Sequence, residues 1–253
     1  HRGGRQNTKE TKQIDDIFQH TMVKLGEFSM RELTQTIFSM SKITAALQKQ
    51  KNRRGGEAGH NRKLRALLLK KDMTPNEDVF RLFAGWSMDK LDQFGARHIS
   101  NLAYAYALIR FVPEFKNGSD LFDHIAKSSV AQTKDFKPQD ISNIVWAYTT
   151  VNKSHAVLFE AMGDQIVASK HLKDFKPQNL ANTVWAYATA GIVHPKLFEE
   201  VANHIVQSDS LYRFNSQALS NTVWAYATAG IKHPQLFEAV ANHIVQSDSL
   251  NQF

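Results

Sequence analysis

A 39-residue period constrains this chain more than any single motif in it. The string NLANTVWAYATAGIVHP, residues 179–195, returns as ALSNTVWAYATAGIKHP at 218–234, so Asn182 maps onto Asn221, Trp185 onto Trp224 and Pro195 onto Pro234. The same anchors stand 39 residues earlier in DISNIVWAYTTV, residues 140–151, and 42 residues before that in HISNLAYAYALI, residues 98–109. A fainter copy, ELTQTIFSMSKI, occupies 32–43. Repetition on this scale specifies a solenoid, in which each unit buries its apolar face only against its neighbours. The expected fold is all-α: an α-solenoid of tandem helical hairpins with a pitch of about 39 residues.

One unit shows how the hairpin is built. At about 100° per residue, Leu180, Thr183, Val184 and Tyr187 share one sector, the buried stripe of an amphipathic helix. Small residues flank it, Ala181 and Ala188 on one side, Ala186 and Ala190 on the other, so neighbouring helices can approach closely. Gly191 stops the helix because glycine enters the left-handed region at little cost, and Gly230 repeats this one unit later. Pro195 suits the first turn of a second helix, where its missing N–H costs nothing. Leu197, Phe198, Val201, Ala202 and Ile205 give that helix its own apolar stripe.

Along the chain, residues 14–48 read as a degenerate N-terminal helical repeat, 49–75 as a basic inserted loop and 76–253 as tandem helical hairpins. Phe253 falls 39 residues after Phe214, where another unit would open, so the array is expected to continue beyond 253. The net charge of +7 is uneven: residues 1–75 hold 16 Lys or Arg against 7 Asp or Glu, whereas 76–253 hold 15 against 17. Nine basic residues fall between Lys49 and Lys71, opposed only by Glu57. Such a block is either a solvated loop or an arm that neutralises phosphates, with Arg53, Arg54, Arg62, Lys63 and Arg65 as the contacting residues. The absence of cysteine excludes disulfides and thiolate metal sites. No apolar run approaches the roughly 20 residues needed to cross a membrane.

The first helix of each unit has a second face. Gln178, Asn182 and Trp185 align opposite the Leu180 and Tyr187 stripe, as do Gln139, Asn143 and Trp146, and Gln217, Asn221 and Trp224. Earlier units supply Arg97, Asn101 and Tyr104, then Arg31, Gln35 and Phe38. Stacked units would line up carboxamides and flat rings, the groups that single-stranded RNA requires for stacking and for base edges. Two alternatives stay open: the tryptophans also suit an inter-repeat core, and the asparagines could bridge backbone groups between repeats. The residue four places after each opening Phe varies, being Glu32, His98, Asp140, Asn179 and Ala218. Variation of that kind suits base reading or an exposed surface, which makes Asp140 and Asn179 candidates.

The unit LANTVWAYATAG resembles the octotricopeptide-repeat family and is similar to the helical repeats preceding RAP domains in FAST-kinase-like proteins. The likeness covers residues 94–253 well and 28–43 poorly; the proline-rich opening of many octotricopeptide units is reduced here to Pro138 and Pro177. It implies binding of single-stranded RNA in a mitochondrion or chloroplast, with roles in RNA stability, processing or translation. No RAP-like segment is visible, so no nuclease activity is carried over.

No catalytic pattern accompanies the repeats. GGEAGHNR, residues 55–62, lacks the Gly-Lys-Ser/Thr of a phosphate-binding loop. His155, His194 and His233 recur one per unit, which suits helix caps better than a shared metal. Adjacent acids such as Glu199 and Glu200 diverge around a helix. The expectation is a binding protein, not an enzyme, with no cofactor, no metal and no small-molecule substrate. Single-stranded RNA is the expected partner and steric shielding the mechanism. The alternative is a protein-interaction scaffold, or a structural subunit of a ribonucleoprotein assembly such as an organellar ribosome.

Overall fold

A computed structural model describes residues 24–50, 62–169, 172–207 and 211–246. Eleven α-helices occur among the described residues, and the fold is an all-α helical repeat, as the period requires. They are α1 (Met30–Gln50), α2 (Arg62–Leu68), α3 (Glu77–Met88), α4 (Ala96–Leu108), α5 (Leu121–Ala131) and α6 (Pro138–Thr150), followed by α7 (Ala156–Ser169), α8 (Pro177–Thr189), α9 (Pro195–Gln207), α10 (Ser216–Ala229) and α11 (Pro234–Gln246). Ten of these form five pairs in two layers. The inner layer stacks α1, α4, α6, α8 and α10 in order; the outer layer stacks α3, α5, α7, α9 and α11. Buried alanines on the inner helices, among them Ala103, Ala147, Ala181 and Ala186, let the inner layer pack more closely than the outer.

The core lies between the layers. Leu180, Thr183, Val184 and Tyr187 are all buried, as the amphipathic pattern predicts. Four tyrosines tie the layers together at one register. The hydroxyls of Tyr106, Tyr187 and Tyr226 donate to the carbonyls of Phe80 (2.7 Å), Phe159 (2.6 Å) and Phe198 (2.6 Å), and Tyr148 donates to Phe122 in the same way. In each case the inner helix of one unit meets the outer helix of the unit before. Edge-to-face ring contacts accompany three of these bonds at centroid distances of 5.0–5.1 Å, and the fourth, Phe80–Tyr106, at 6.3 Å. Such pairs contribute about 0.5–1.5 kcal/mol beyond burial. Burial pushes the four phenols above their ordinary pKa, so they stay protonated donors.

Four inner helices, α4, α6, α8 and α10, end in the same corner. Gly191 and Gly230 are left-handed, both at φ 67°, and the preceding tyrosine carbonyl accepts from the next residue's N–H: Ile192 to Tyr187 and Ile231 to Tyr226, each at 3.0 Å. This is the Schellman arrangement. In the two earlier units Arg110 (φ 51°) and Asn152 (φ 57°) hold the same corner without glycine.

Two features of the N-terminal third differ from the expected division. Residues 62–68, expected within a basic loop, form α2, with Leu68 and Leu69 buried against the array. Helix α3 is the outer partner of α1, so the boundary expected at 76 falls inside the first pair and the basic segment is an insertion between its two helices. The period hid α3 because the insertion separates it from its anchor.

Candidate nucleic-acid interface

The second face of the inner helices forms a groove. A polar cavity of about 420 Å³ is lined by Phe38 and Lys42 from α1, Asn101 and Tyr104 from α4, and Gln139, Asn143 and Trp146 from α6. Gln178, Asn179 and Asn182 from α8 and Gln217 from α10 complete its wall. A second cavity, also about 420 Å³, shares Asn101, Gln139 and Asn143 and adds Arg97, His98, Lys137 and Asp140 near the N-terminal ends of α4 and α6. Eleven candidate residues therefore border one continuous surface in the first cavity or the second: Arg97, Asn101, Tyr104, Gln139, Asn143, Trp146, Gln178, Asn182 and Gln217, together with Asp140 and Asn179, which also cap their helices.

The asparagines settle which alternative the geometry favours. Asn101, Asn143, Asn182 and Asn221 are each half-buried, and none of their carboxamides hydrogen-bonds another described residue. Nor are these amides sealed: the buried, unpartnered side-chain atoms among the described residues are Ser41 Oγ and His98 Nδ1. The bridge from α6 to α8 is made instead by Thr149, whose hydroxyl donates to the Ala186 carbonyl at 3.1 Å. A row of open carboxamides, each offering donors and an acceptor, remains for water or a ligand.

The aromatic row divides in two. Phe38 and Tyr104 lie 5.9 Å apart and Tyr104 and Trp146 4.8 Å apart, with interplanar angles of 34° and 35°. Lys42 caps the row with its ammonium 4.4 Å from the Phe38 ring centroid. These rings stack largely on one another and on the core. Trp185 and Trp224 have no ring partner among the described residues. Trp185 is half-buried against the core, and Trp224 is 45% exposed. Phe38 and Lys42 matter more to the groove than their weak sequence likeness suggests.

In three of the five units the variable position four places after the opening Phe caps its helix; His98 makes no such bond. Glu32 accepts from the Ser29 hydroxyl (2.7 Å) and N–H (2.9 Å), and these bonds lower its pKa. Asp140 accepts from the Lys137 N–H (3.2 Å) and from the Ser100 hydroxyl of the preceding unit (3.1 Å). Asn179 accepts from the Lys176 N–H at 3.2 Å and also lines the groove. In the fifth unit Asn215 caps instead, accepting from the Ala218 N–H at 2.8 Å. Asp140 is thus buried and occupied by protein donors, so base reading is not its structural role.

Among the described residues, the basic segment lines a different surface. Arg65 borders a separate cavity of about 730 Å³ together with Lys70 and Lys71. Arg53 and Arg54 lie outside the described residues, as do the side chains of Arg62 and Lys63.

The recurrent histidines are caps. Nδ1 of His155, His194 and His233 accepts the N–H of Leu158, Leu197 and Leu236 at 3.3, 3.2 and 3.2 Å. Folding also gathers His194, Glu160 and Asp164 so that their ligand atoms lie within 4.8 Å, a grouping that sequence spacing did not reveal. With Nδ1 accepting, the ring proton sits on Nε2, which faces Asp164 at 3.3 Å. That proton occupies the lone pair a metal would need, so the arrangement is a capped turn.

No curated protein matches the chain. The model of the RNA-editing substrate-binding complex 6 protein family matches residues 18–249, nearly the whole sequence, and the chain belongs to that family.

Proposed function

We propose that this chain binds single-stranded RNA along the groove of its inner helices, as an RNA-contacting subunit of an RNA-editing assembly. The observation that carries this reading is the row of open carboxamides at Asn101, Asn143, Asn182 and Asn221. Hydrogen bonds from these amides to exposed base edges, with Trp185 and Trp224 as flat faces, supply contacts that duplex RNA cannot reach. The family description supports an RNA-associated helical protein, without specifically supporting the octotricopeptide or RAP-associated likeness of the sequence. It fits a mitochondrial address and gives no support to a chloroplast. Action by steric binding, without catalysis, is part of the same proposal.

The groove carries few free cations: Lys42 sits on Phe38, leaving Arg97 and Lys137 at one end. Binding then rests on stacking and hydrogen bonds, and neutralising one or two phosphates gives a log–log salt slope of roughly −1. Titration of the chain with a random single-stranded RNA pool at two salt concentrations tests the proposal. Saturable binding with a shallow slope supports it. A pool that fails to bind at low salt favours the second reading, a protein scaffold within the assembly, which the near-neutral charge of residues 76–253 already favours.

A further inference from the structure

The insertion between the two helices of the first pair builds a pocket of its own, apart from the groove. Arg65 and Ala66 of α2, Leu69 just after it, and Lys71 and Met73 of the following turn line this cavity of about 730 Å³. The turn is firmly held. Lys70 N–H donates to the Thr74 carbonyl at 2.8 Å, Asp72 accepts from the Thr74 N–H (3.0 Å) and hydroxyl (2.6 Å), and Gln48 of α1 donates to the Met73 carbonyl at 3.1 Å. Met73 itself is left-handed at φ 73°, a costly conformation for a residue with a long side chain, and Arg65 donates to its sulfur. Such a backbone persists where the surroundings impose it, so the half-buried thioether is fixed at the pocket beside the buried Leu69.

The charge around this apolar floor is one-sided. Residues 62–71 contain five Lys or Arg and no Asp or Glu. Lys70 pairs with Glu77 at 3.0 Å, whereas the exposed Arg65 and Lys71 have no carboxylate partner among the described residues. Asp78 is the acid among the lining residues.

We propose that this pocket docks an acidic segment of a protein partner, with an apolar side chain seated against Ala66, Leu69 and Met73 and carboxylates meeting Arg65 and Lys71. The lining favours a peptide over RNA. Phosphates gain nothing from an apolar floor, and a base needs a flat face, yet no aromatic ring lines the cavity. The Asn76 amide, which could read a base edge, already donates to the Leu67 carbonyl at 2.8 Å. A peptide offers N–H groups to Asp78, where a phosphate is repelled. This surface is separate from the carboxamide row, so a protein partner and RNA can be held together.

The test titrates the full chain with a short labelled peptide in which glutamates flank a Leu-Leu pair, read by fluorescence anisotropy. Saturable binding is expected, weakened at least about tenfold by Lys71→Glu or Ala66→Glu and by replacing the two leucines of the peptide with serine. Lys71 and Ala66 are exposed, so both variants should melt as the parent does and bind a random single-stranded RNA pool with unchanged affinity. A peptide that fails to bind, or that binds the two variants as tightly as the parent, would overturn the proposal. So would equal binding of the leucine-free peptide, which would reduce the pocket to a charged surface. Loss of RNA affinity in Lys71→Glu, with the peptide unable to bind the parent, would make RNA the occupant instead.

Discussion

The hydroxyl of Tyr187 reaches across the layers to the carbonyl of Phe159 at 2.6 Å, and the two rings meet edge to face at 5.0 Å. Because the same pairing recurs at Tyr106, Tyr148 and Tyr226, it fixes how each inner helix sits on the preceding outer one. Tyr187→Phe should destabilise the chain by about 1 kcal/mol, the net value of one hydrogen bond. Tyr187→Ala should cost about 3–5 kcal/mol by leaving a cavity. Urea denaturation reads both, and RNA affinity of the folded Phe variant should match the parent.

A second prediction concerns a glycine with no conformational need to be one. A Cβ at Gly163 would stand 2.5 Å from Cδ2 of the buried His194 ring, so Gly163→Ala should displace the ring that caps α9. Overpacking of this kind costs roughly 1–3 kcal/mol. Replacing His194 by Ser keeps a capping oxygen and removes the clash, so the double variant should recover much of the loss. Thermal melts of the four proteins in this cycle measure the coupling.

The tryptophans should separate by role. Trp146→Leu removes a ring that stacks on Tyr104 and packs against the core, so stability should fall by about 1–3 kcal/mol. Trp224→Leu alters an exposed ring, so the melt should hold while RNA affinity drops by about fivefold or more, corresponding to roughly 1 kcal/mol of stacking.

Acid should act in part through His204. Burial first, and the nearby Arg213 second, lower its pKa from the ordinary 6.5. The folded chain then binds that proton less well than the unfolded chain. The stability involved is present above about pH 6.5 and is lost as pH falls below it, toward the folded value. His204→Gln should flatten that part of the stability–pH curve, as read by thermal melts across this range.

Much of the fold follows from the repeat alone. Leu180, Val184, Tyr187 and Gly191 declare a buried stripe and a left-handed stop, and the structure places all four as read. The first pair was harder, because an insertion separates Met30–Gln50 from Glu77–Met88 and breaks the period that reveals the others. The groove was half legible. Periodicity puts Asn182 and Trp185 on one face, but whether that face is open or sealed depends on how far adjacent helices stand apart, which no single helix encodes. Asp140 misled for a related reason: it occupies a variable position that caps the helix in its own unit and in that of Asn179, a local bond that the variation alone does not reveal.

The most direct test of the account replaces Asn143, Asn182 and Asn221 together by Ala. Since none of the three has a partner within the described protein, the melt should shift little, by about 0.5 kcal/mol or less per site. Binding of a random single-stranded RNA pool should weaken by at least about tenfold, corresponding to roughly 1.4 kcal/mol or more. A triple variant that folds as the parent does and binds RNA equally well would contradict the account.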